Sequence, residues 1–418
     1  VADLSEFRNA EAGLTRSQPP TARFQFKPGQ TVGEAELLLE PDEGPQQALD
    51  RWAADLLGVD AGTMAILEVL EVRAWGHNPV TDSPYRYVKC AVRRHGASEA
   101  AERAVAKAWV SRPVKRSRGL STRLKGTVDS AFWWPVTDTQ LGKGGEERFG
   151  GLSETQARLE WAVDEFVRWA GRQVKAGYSP HRVIVPLAGD LTEGVCGSYD
   201  NQEFVTVLNA ADQLELAVAA VERVVDAARQ VAPEVILTGV ASNHDRQSKQ
   251  GNRDNMTDAW DDRTFVLLRT LARVYSRVGL SDVTVLMPSN PHVSVVDDGF
   301  QTVATIHGHK PKFSQSASNT MWRWWAQEIA NRRDASACQV LLAGHYHHPY
   351  SLAQSGRLLI GLPSLDGGSA WFESQGGDWS LPGIRPFITT EQGVRQLDLL
   401  VWQHDADKAR EQTGGRIA

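Results

Sequence analysis

Five short clusters along the chain carry side chains that bind cations or move protons. They are Asp138-Thr139-Gln140, Gly189-Asp190, Asn243-His244-Asp245, His307-Gly308-His309 and Gly344-His345-Tyr346-His347. Carboxylates, amide oxygens and imidazoles without thiolates suit divalent Mn, Mg, Fe or Zn. In His345-x-His347 an extended backbone would turn both imidazoles the same way, each toward one of two adjacent metals. Two metals about 3.5–4 Å apart can activate a water and polarise a phosphoryl oxygen. Taken singly, each cluster also has a plain structural reading: a turn, a cap or a satisfied core histidine. Five in succession make coincidence a poor account.

Each cluster follows a short apolar run, so the elements that position them are strands. Strands are expected at Ala131–Val136, Arg182–Leu187, Glu234–Val240, Phe300–Ile306 and Cys338–Leu342, with further strands at 283–286, 292–296, 358–362 and 394–402. Long helical patterns separate them over 153–175, 204–231, 257–278 and 318–333. This alternation predicts an α/β sandwich. Functional groups in open α/β sheets gather beyond the carboxyl ends of the strands. Asp298-Gly299 reads as a hairpin turn. Ahead of this region, residues 1–44 look loop-like. A helix over 46–57, strands over 64–75 and 85–93, and a helix over 98–109 form a small α+β unit. The expected domains are therefore 1–128 and 129–418.

Taken together, the clusters resemble the calcineurin-like metallophosphoesterase superfamily, whose pattern is D-x-H, G-D, G-N-H-[DE], a lone H and G-H-x-H. The matching blocks here are T-D-T-Q, A-G-D-L-T-E-G, S-N-H-D, I-H-G-H and A-G-H-Y-H, over about residues 130–402. The resemblance implies a four-layer α-β-β-α sandwich and two divalent metal ions, Mn foremost. It places Asp138, Gln140, Asp190 and His347 on the first metal, with Asp190 bridging and Asn243, His307 and His345 completing the second. His244 would protonate the leaving alkoxide, oriented by Glu193. Gln140 stands where the family usually has histidine, and Ser242 where it has glycine. Asp138-x-Gln140 followed by Gly142-Lys143 is similar to a variant among virus-encoded and DNA-acting members. His309 is an alternative to His307 as ligand, or a substrate contact.

The charge pattern bears on the substrate. Net charge is −6, yet residues 84–128 hold 12 basic and 2 acidic side chains. Basic charge among aromatics fits a phosphate backbone and stacked bases. Arg112, Lys115, Arg116 and Arg118 are the candidate backbone contacts, and Trp133-Trp134 lies nearby. In Met321-Trp322-Arg323-Trp324-Trp325, helical spacing assigns Trp322 and Trp325 to the core and leaves Trp324 for substrate. A solvated arm is the plain reading of the basic run. The glycine- and aromatic-rich stretch Gly361 to Phe372 is a candidate rim. The expected activity is phosphodiester hydrolysis on nucleic acid, DNA rather than RNA. A phosphomonoesterase or small-molecule phosphodiesterase is one alternative, and a DNA-binding protein with an impaired metal site another. Three scattered cysteines, the lack of an apolar run of 18 residues and the lack of a signal-like start point to a cytoplasmic protein without a membrane span.

Overall fold

The computed structural model describes residues 22–26, 32–39, 44–57, 64–78, 83–94, 97–114, 117–119, 122–144, 149–195, 202, 206–246, 259–313, 315–368 and 379–412. The chain divides into two compact units, Val1–Ala101 and Glu102–Ala418.

In the first unit an antiparallel sheet runs in the order β1-β2-β4-β3, from β1 (Ala22–Phe26), β2 (Val32–Leu39), β3 (Met64–Asn78) and β4 (Ser83–Arg94). Helix α1 (Pro45–Leu57) accompanies it. The loop expected over residues 1–44 is therefore corrected at β1 and β2. In β2 the residues Ala35, Leu37 and Leu39 are buried, with Glu36 and Leu38 less so. This is a period-two pattern that the acidic composition conceals.

The boundary is corrected too. It falls inside α2 (Ala97–Ser111) rather than at 128, because residues beyond 101 pack on the second unit. The indole N–H of the buried Trp109 donates to Glu160 at 2.8 Å, and the Arg223 guanidinium lies 3.8 Å from its ring centroid. Ser117 N–H donates to Asp226 at 2.7 Å.

The second unit holds two sheets. In the six-stranded sheet β5 (Val128–Trp133), β6 (Tyr178–Leu187), β7 (Val235–Gly239) and β8 (Val283–Val285) run parallel. Strand β15 (Phe387–Thr390) pairs antiparallel with β5, and β16 (Gly393–Arg395) continues that edge. In the five-stranded sheet β10 (Thr302–Ile306), β11 (Val340–Ala343) and β13 (Arg357–Gly361) run parallel. Strands β9 (Ser294–Asp297) and β12 (Tyr350–Gln354) flank them antiparallel.

Alternation along the strands sorts the layers. Ala131, Trp133, Ile184 and Ile236 face Val303, Val340, Leu342 and Ile360 in one apolar cluster between the sheets. Their neighbours Phe132, Val183, Val185 and Leu237 face helices α3 (Leu152–Lys175), α4 (Ala210–Arg229) and α5 (Arg263–Arg277). On the other sheet, Ala304, Ile306, Leu341 and Leu359 face Met321 and Trp325 of α6 (Ala317–Ala330). The fold is thus an α/β sandwich of four layers, α-β-β-α. Burying each large side chain contributes roughly 1.5–3 kcal/mol.

The expected hairpin at Asp298-Gly299 forms, with Asp298 Oδ1 accepting the N–H groups of Phe300 and Gln301. The helix expected from 204 begins at Ala210, because the Asn209 side chain caps it by accepting from Ala211 and Asp212. The strand expected over 394–402 is broken into β16 and β17 (Leu400–Val401), the latter paired antiparallel with β14 (Gly383–Ile384), and a helix, α7 (Gln403–Gln412), follows. No helix among the described residues is long and apolar enough to cross a membrane.

Candidate metal centre

The loops that follow the parallel strands β5, β6, β7, β10 and β11 meet one another, through Asp138 with Gly189, Asp190 with Ser242, Asn243 with His307 and His345 with Asp138. The backbone there is strained. Nine non-glycine residues among those described have left-handed φ, and five of them are the expected ligands Asp138, Gln140, Asp190, His345 and His347. Each such conformation costs about 1–3 kcal/mol and persists only where the surroundings impose it. The loops approach very closely: a Cβ on Gly189 would lie 2.5 Å from the Ser242 Cβ, and one on Gly344 would lie 2.8 Å from Asp138 Oδ2.

Hydrogen bonds lock the loops together. Asp138 is fully buried, and its carboxylate accepts the His345 N–H at 3.0 Å and the Thr137 hydroxyl at 2.5 Å. The Ser364 hydroxyl donates to the Asp138 carbonyl at 2.7 Å. Asp190 Oδ1 accepts the His244 N–H at 2.8 Å, and the Asp190 N–H donates to Ser242 Oγ at 2.9 Å. Asp245 binds the same two loops from beneath: it accepts from Leu191 N–H, Thr192 N–H, and the hydroxyls of Thr192, Ser242 and Thr264 at 2.7–3.1 Å.

The second-metal set is assembled. The Nδ1 of His307 faces the Ala188 carbonyl at 2.8 Å, which leaves Nε2 for the centre. That nitrogen lies 2.9 Å from Asp190 Oδ2 and 2.9 Å from Asn243 Oδ1. Two ligands at right angles about a cation, each bonded at about 2.1 Å, sit about 3.0 Å apart. Donor atoms of Asp190, His307 and His345 all lie within 4.8 Å of one another. These residues fit a divalent cation.

The first-metal set is less complete. His347 Nε2 lies 3.2 Å from Asp138 Oδ1. Gln140 Oε1, however, lies 3.4 Å from the buried Lys143 Nζ, which in turn bonds Asp366 Oδ2 at 2.9 Å and the Gly368 carbonyl. The replacement of histidine by Gln140 thus comes with an ammonium group beside it, which competes with a cation for the amide oxygen.

Electrostatics follow the same division. Burial, and then the nearby His307, push His345 down to about 4, so its lone pair is available at neutral pH. Burial opposes a charge on His307, but the Asp190 carboxylate prevails and raises it to about 9. His244 behaves similarly: burial is outweighed by Asp190 and Glu193, which lift it to about 10. Its Nδ1 lies 2.9 Å from the Glu193 carbonyl and 3.6 Å from the Glu193 carboxylate, leaving Nε2 4.0 Å from Asp190 Oδ2. Glu193 therefore orients His244 through its main chain as well as its side chain.

Of the expected backbone contacts, Arg112 and Arg118 are among the described residues. Arg112 is exposed and paired with Glu160 of α3 at 2.8 Å. Arg118 is exposed, next to Ser117, which bonds Asp226 near the end of α4. The Leu124 carbonyl accepts from Ser179 at the start of β6. From there to Leu187 is eight residues, roughly 26 Å at about 3.3 Å per residue. Arg118 thus sits toward the opposite end of the sheet from Asp190, where the chain must enter before β5 begins. Lys115 and Arg116 lie outside the described residues, as do Cys196, Trp371 and Phe372. Trp133 and Trp134 are buried in core clusters, not at a surface. Trp325 is buried with Trp322 packed on it, whereas Trp324 lines a cavity beside His307. His348 bonds Ser380. Lys143, Asp245, Ser364 and Asp366 were missed as contributors to the centre; Asp245 was visible only as the fourth letter of its block.

No family model matches the chain, and no curated protein does. Among solved structures it is similar to the Vps29 protein of Entamoeba histolytica crystallised with zinc, at 11% identity over 64% of this chain and 98% of that chain, TM-score 0.29. It is also similar to an archaeal phosphodiesterase, at 13% identity over 64% of this chain and 99% of that chain, TM-score 0.29. A hypothetical protein of Pyrococcus horikoshii matches at 9% identity over 69% of this chain and 94% of that chain, TM-score 0.31. Likenesses this faint decide nothing; the layers and the distances above stand by themselves.

Proposed function

We propose that the protein is a metal-dependent phosphodiesterase of the calcineurin-like type that hydrolyses nucleic acid, DNA rather than RNA. The observation that carries the hydrolytic reading is the meeting of His307 Nε2, Asp190 Oδ2 and Asn243 Oδ1 at 2.9 Å, on loops held in strained conformations. Asp190, Asn243, His307 and His345 would hold one cation, and Asp138 with His347, supplemented by Gln140, a second. Bound there, the cations, Mn foremost, supply Lewis-acid polarisation of a phosphoryl group and lower the pKa of water. The protein's own groups do the remaining work. His244, held through Nδ1 by Glu193, keeps a proton on Nε2 and presents it to the leaving oxygen. The strained loops fix the carboxylates before substrate arrives, so little reorganisation accompanies reaction. The choice of DNA rests on the similarity of the Asp138–Lys143 block to DNA-acting members.

A second reading, a small-molecule phosphodiesterase or phosphomonoesterase on the same core, is favoured by one observation: Arg118 and the segment after it lie far from Asp190. An activity panel with Mn over DNA, RNA, cyclic nucleotides and p-nitrophenyl phosphate, with His244→Ala as control, separates the readings. Cleavage of DNA is expected. Activity on p-nitrophenyl phosphate alone would transfer the case to the second reading, and DNA binding without hydrolysis under any metal would leave only a binding protein.

A further inference from the structure

A cavity of about 410 Å³ opens beside the cation site and shares His307 with it. That volume falls within the range of small-molecule sites, about 300–1,000 Å³. Ala241, Val293 and Ile306 give it an apolar floor, and the Trp324 indole forms part of a wall. His309 lines it as well, 6.0 Å from His292 between ring centroids, and both ring nitrogens of His309 are buried without a hydrogen-bond partner. The charged lining residues are balanced, Lys310 and Arg333 against Glu328 and Asp334. Of the acidic lining residues, Glu328 is paired with Arg333 at 3.3 Å and Asp334 accepts from Asn290 at 2.6 Å.

This chemistry selects among ligands. A sugar phosphate would use the cations but leave the indole and the apolar floor uncovered. A lipid tail would cover the floor but leave His309 with buried, unmet nitrogens, which is costly. A nucleotide meets all three demands: the base offers a flat apolar face for Trp324 and ring edges that both donate and accept for His309, and its phosphate reaches toward the cation site at His307.

We propose that this cavity binds the single nucleoside that flanks the scissile phosphate, with its base against Trp324 and within hydrogen-bonding reach of His309. The inference rests on the phosphodiesterase reading and adds the substrate's recognition element to it. Because the cavity adjoins His307, a base seated there brings its own phosphate to the cation site.

The test measures binding, so that it does not depend on turnover. Calorimetric titration of the Mn-loaded full chain compares thymidine 5′-monophosphate with deoxyribose 5-phosphate, which lacks the base. The nucleotide is expected to bind about tenfold tighter or more, as base–aromatic stacking implies. Trp324→Ala and, separately, His309→Gln should each shrink that ratio, with thermal unfolding confirming that the variants are folded. Equal affinities of the wild-type protein for the two probes would overturn the proposal, as would a ratio unaltered in both variants. Hydrolysis of bis(p-nitrophenyl) phosphate is measured in parallel. Its absence with the binding preference intact would overturn the enzymatic reading and leave the nucleoside pocket standing.

Discussion

Replacing Asp245 by Asn keeps the shape of the side chain and removes its charge. Asp245 Oδ1 accepts from the Thr192 N–H and hydroxyl, and Oδ2 from the Leu191 N–H and the hydroxyls of Ser242 and Thr264. Whichever oxygen becomes an amide nitrogen, one main-chain N–H then faces another donor. Hydroxyls can rotate to accept; the main-chain amide cannot. Orphaning it costs about 1–3 kcal/mol, and each remaining bond falls from the charged to the neutral class, losing roughly 1 kcal/mol. Asp262 returns part of this, since burial and then the Asp245 carboxylate raise its pKa well above the usual range, and that repulsion disappears. The net expectation is about 3 kcal/mol of lost stability. Urea unfolding should show the midpoint falling by roughly 0.5–1 M, since m for a unit of this size is about 3 kcal/mol/M or more. Because the same bonds hold Asp190 beside Asn243, Mn affinity should fall about 10–100-fold, as for other groups that orient ligands. A variant with an unchanged midpoint and unchanged Mn affinity would refute the role assigned to Asp245.

Other consequences concern catalysis, pH and the basic segment. His244→Ala keeps the main-chain N–H that bonds Asp190, so Mn content by elemental analysis should persist while turnover on DNA falls about 10²–10⁴-fold; loss of metal together with activity would instead make His244 a ligand. His307 has its folded pKa raised to about 9, above an unfolded value of about 6.5. Its contribution to the stability of the metal-free protein is therefore full below about pH 6.5 and lost as pH rises through about 9. Mn affinity runs the other way, rising by up to about tenfold per pH unit across that window as the bound proton is displaced; calorimetry at several pH values that found no rise would contradict the ligand role. Neutralising Arg112 and Arg118 together should leave kcat/KM on a short oligonucleotide within about twofold, since Arg112 is paired with Glu160 and exposed charges far from a site act weakly across salt. A large drop in kcat/KM would restore the basic segment as a substrate contact.

Ser242 illustrates how a departure from a familiar pattern is explained only by its neighbours. As a letter it stands where glycine is usual. In the fold its hydroxyl accepts the Asp190 N–H and donates to Asp245, joining two loops 52 residues apart in sequence. Gln140 is the opposite instance: the sequence shows an amide where histidine is usual, but the Lys143 ammonium beside its oxygen is a contact of the folded loops.

By itself the sequence determined the strands that carry the five clusters, because short apolar runs such as Ala131–Trp133 or Val183–Val185 are a local property of the chain. It also determined the order of the five clusters and the side-chain types that bind cations. It misread β2, whose apolar face is only three residues long, and it placed the basic segment beside Asp138 because nearness in sequence was the sole guide. Tertiary structure alone decided that Arg118 and the residues after it sit at the entry end of the strands and Asp190 at their exit. The reason is geometric: a strand separates its two ends by its own length, so adjacent residues on either side of β5 belong to opposite edges of one sheet. The cavity beside His307, with Trp324 and His309 in its wall, has the same origin. It is made by two layers meeting, and no run of residues encodes it.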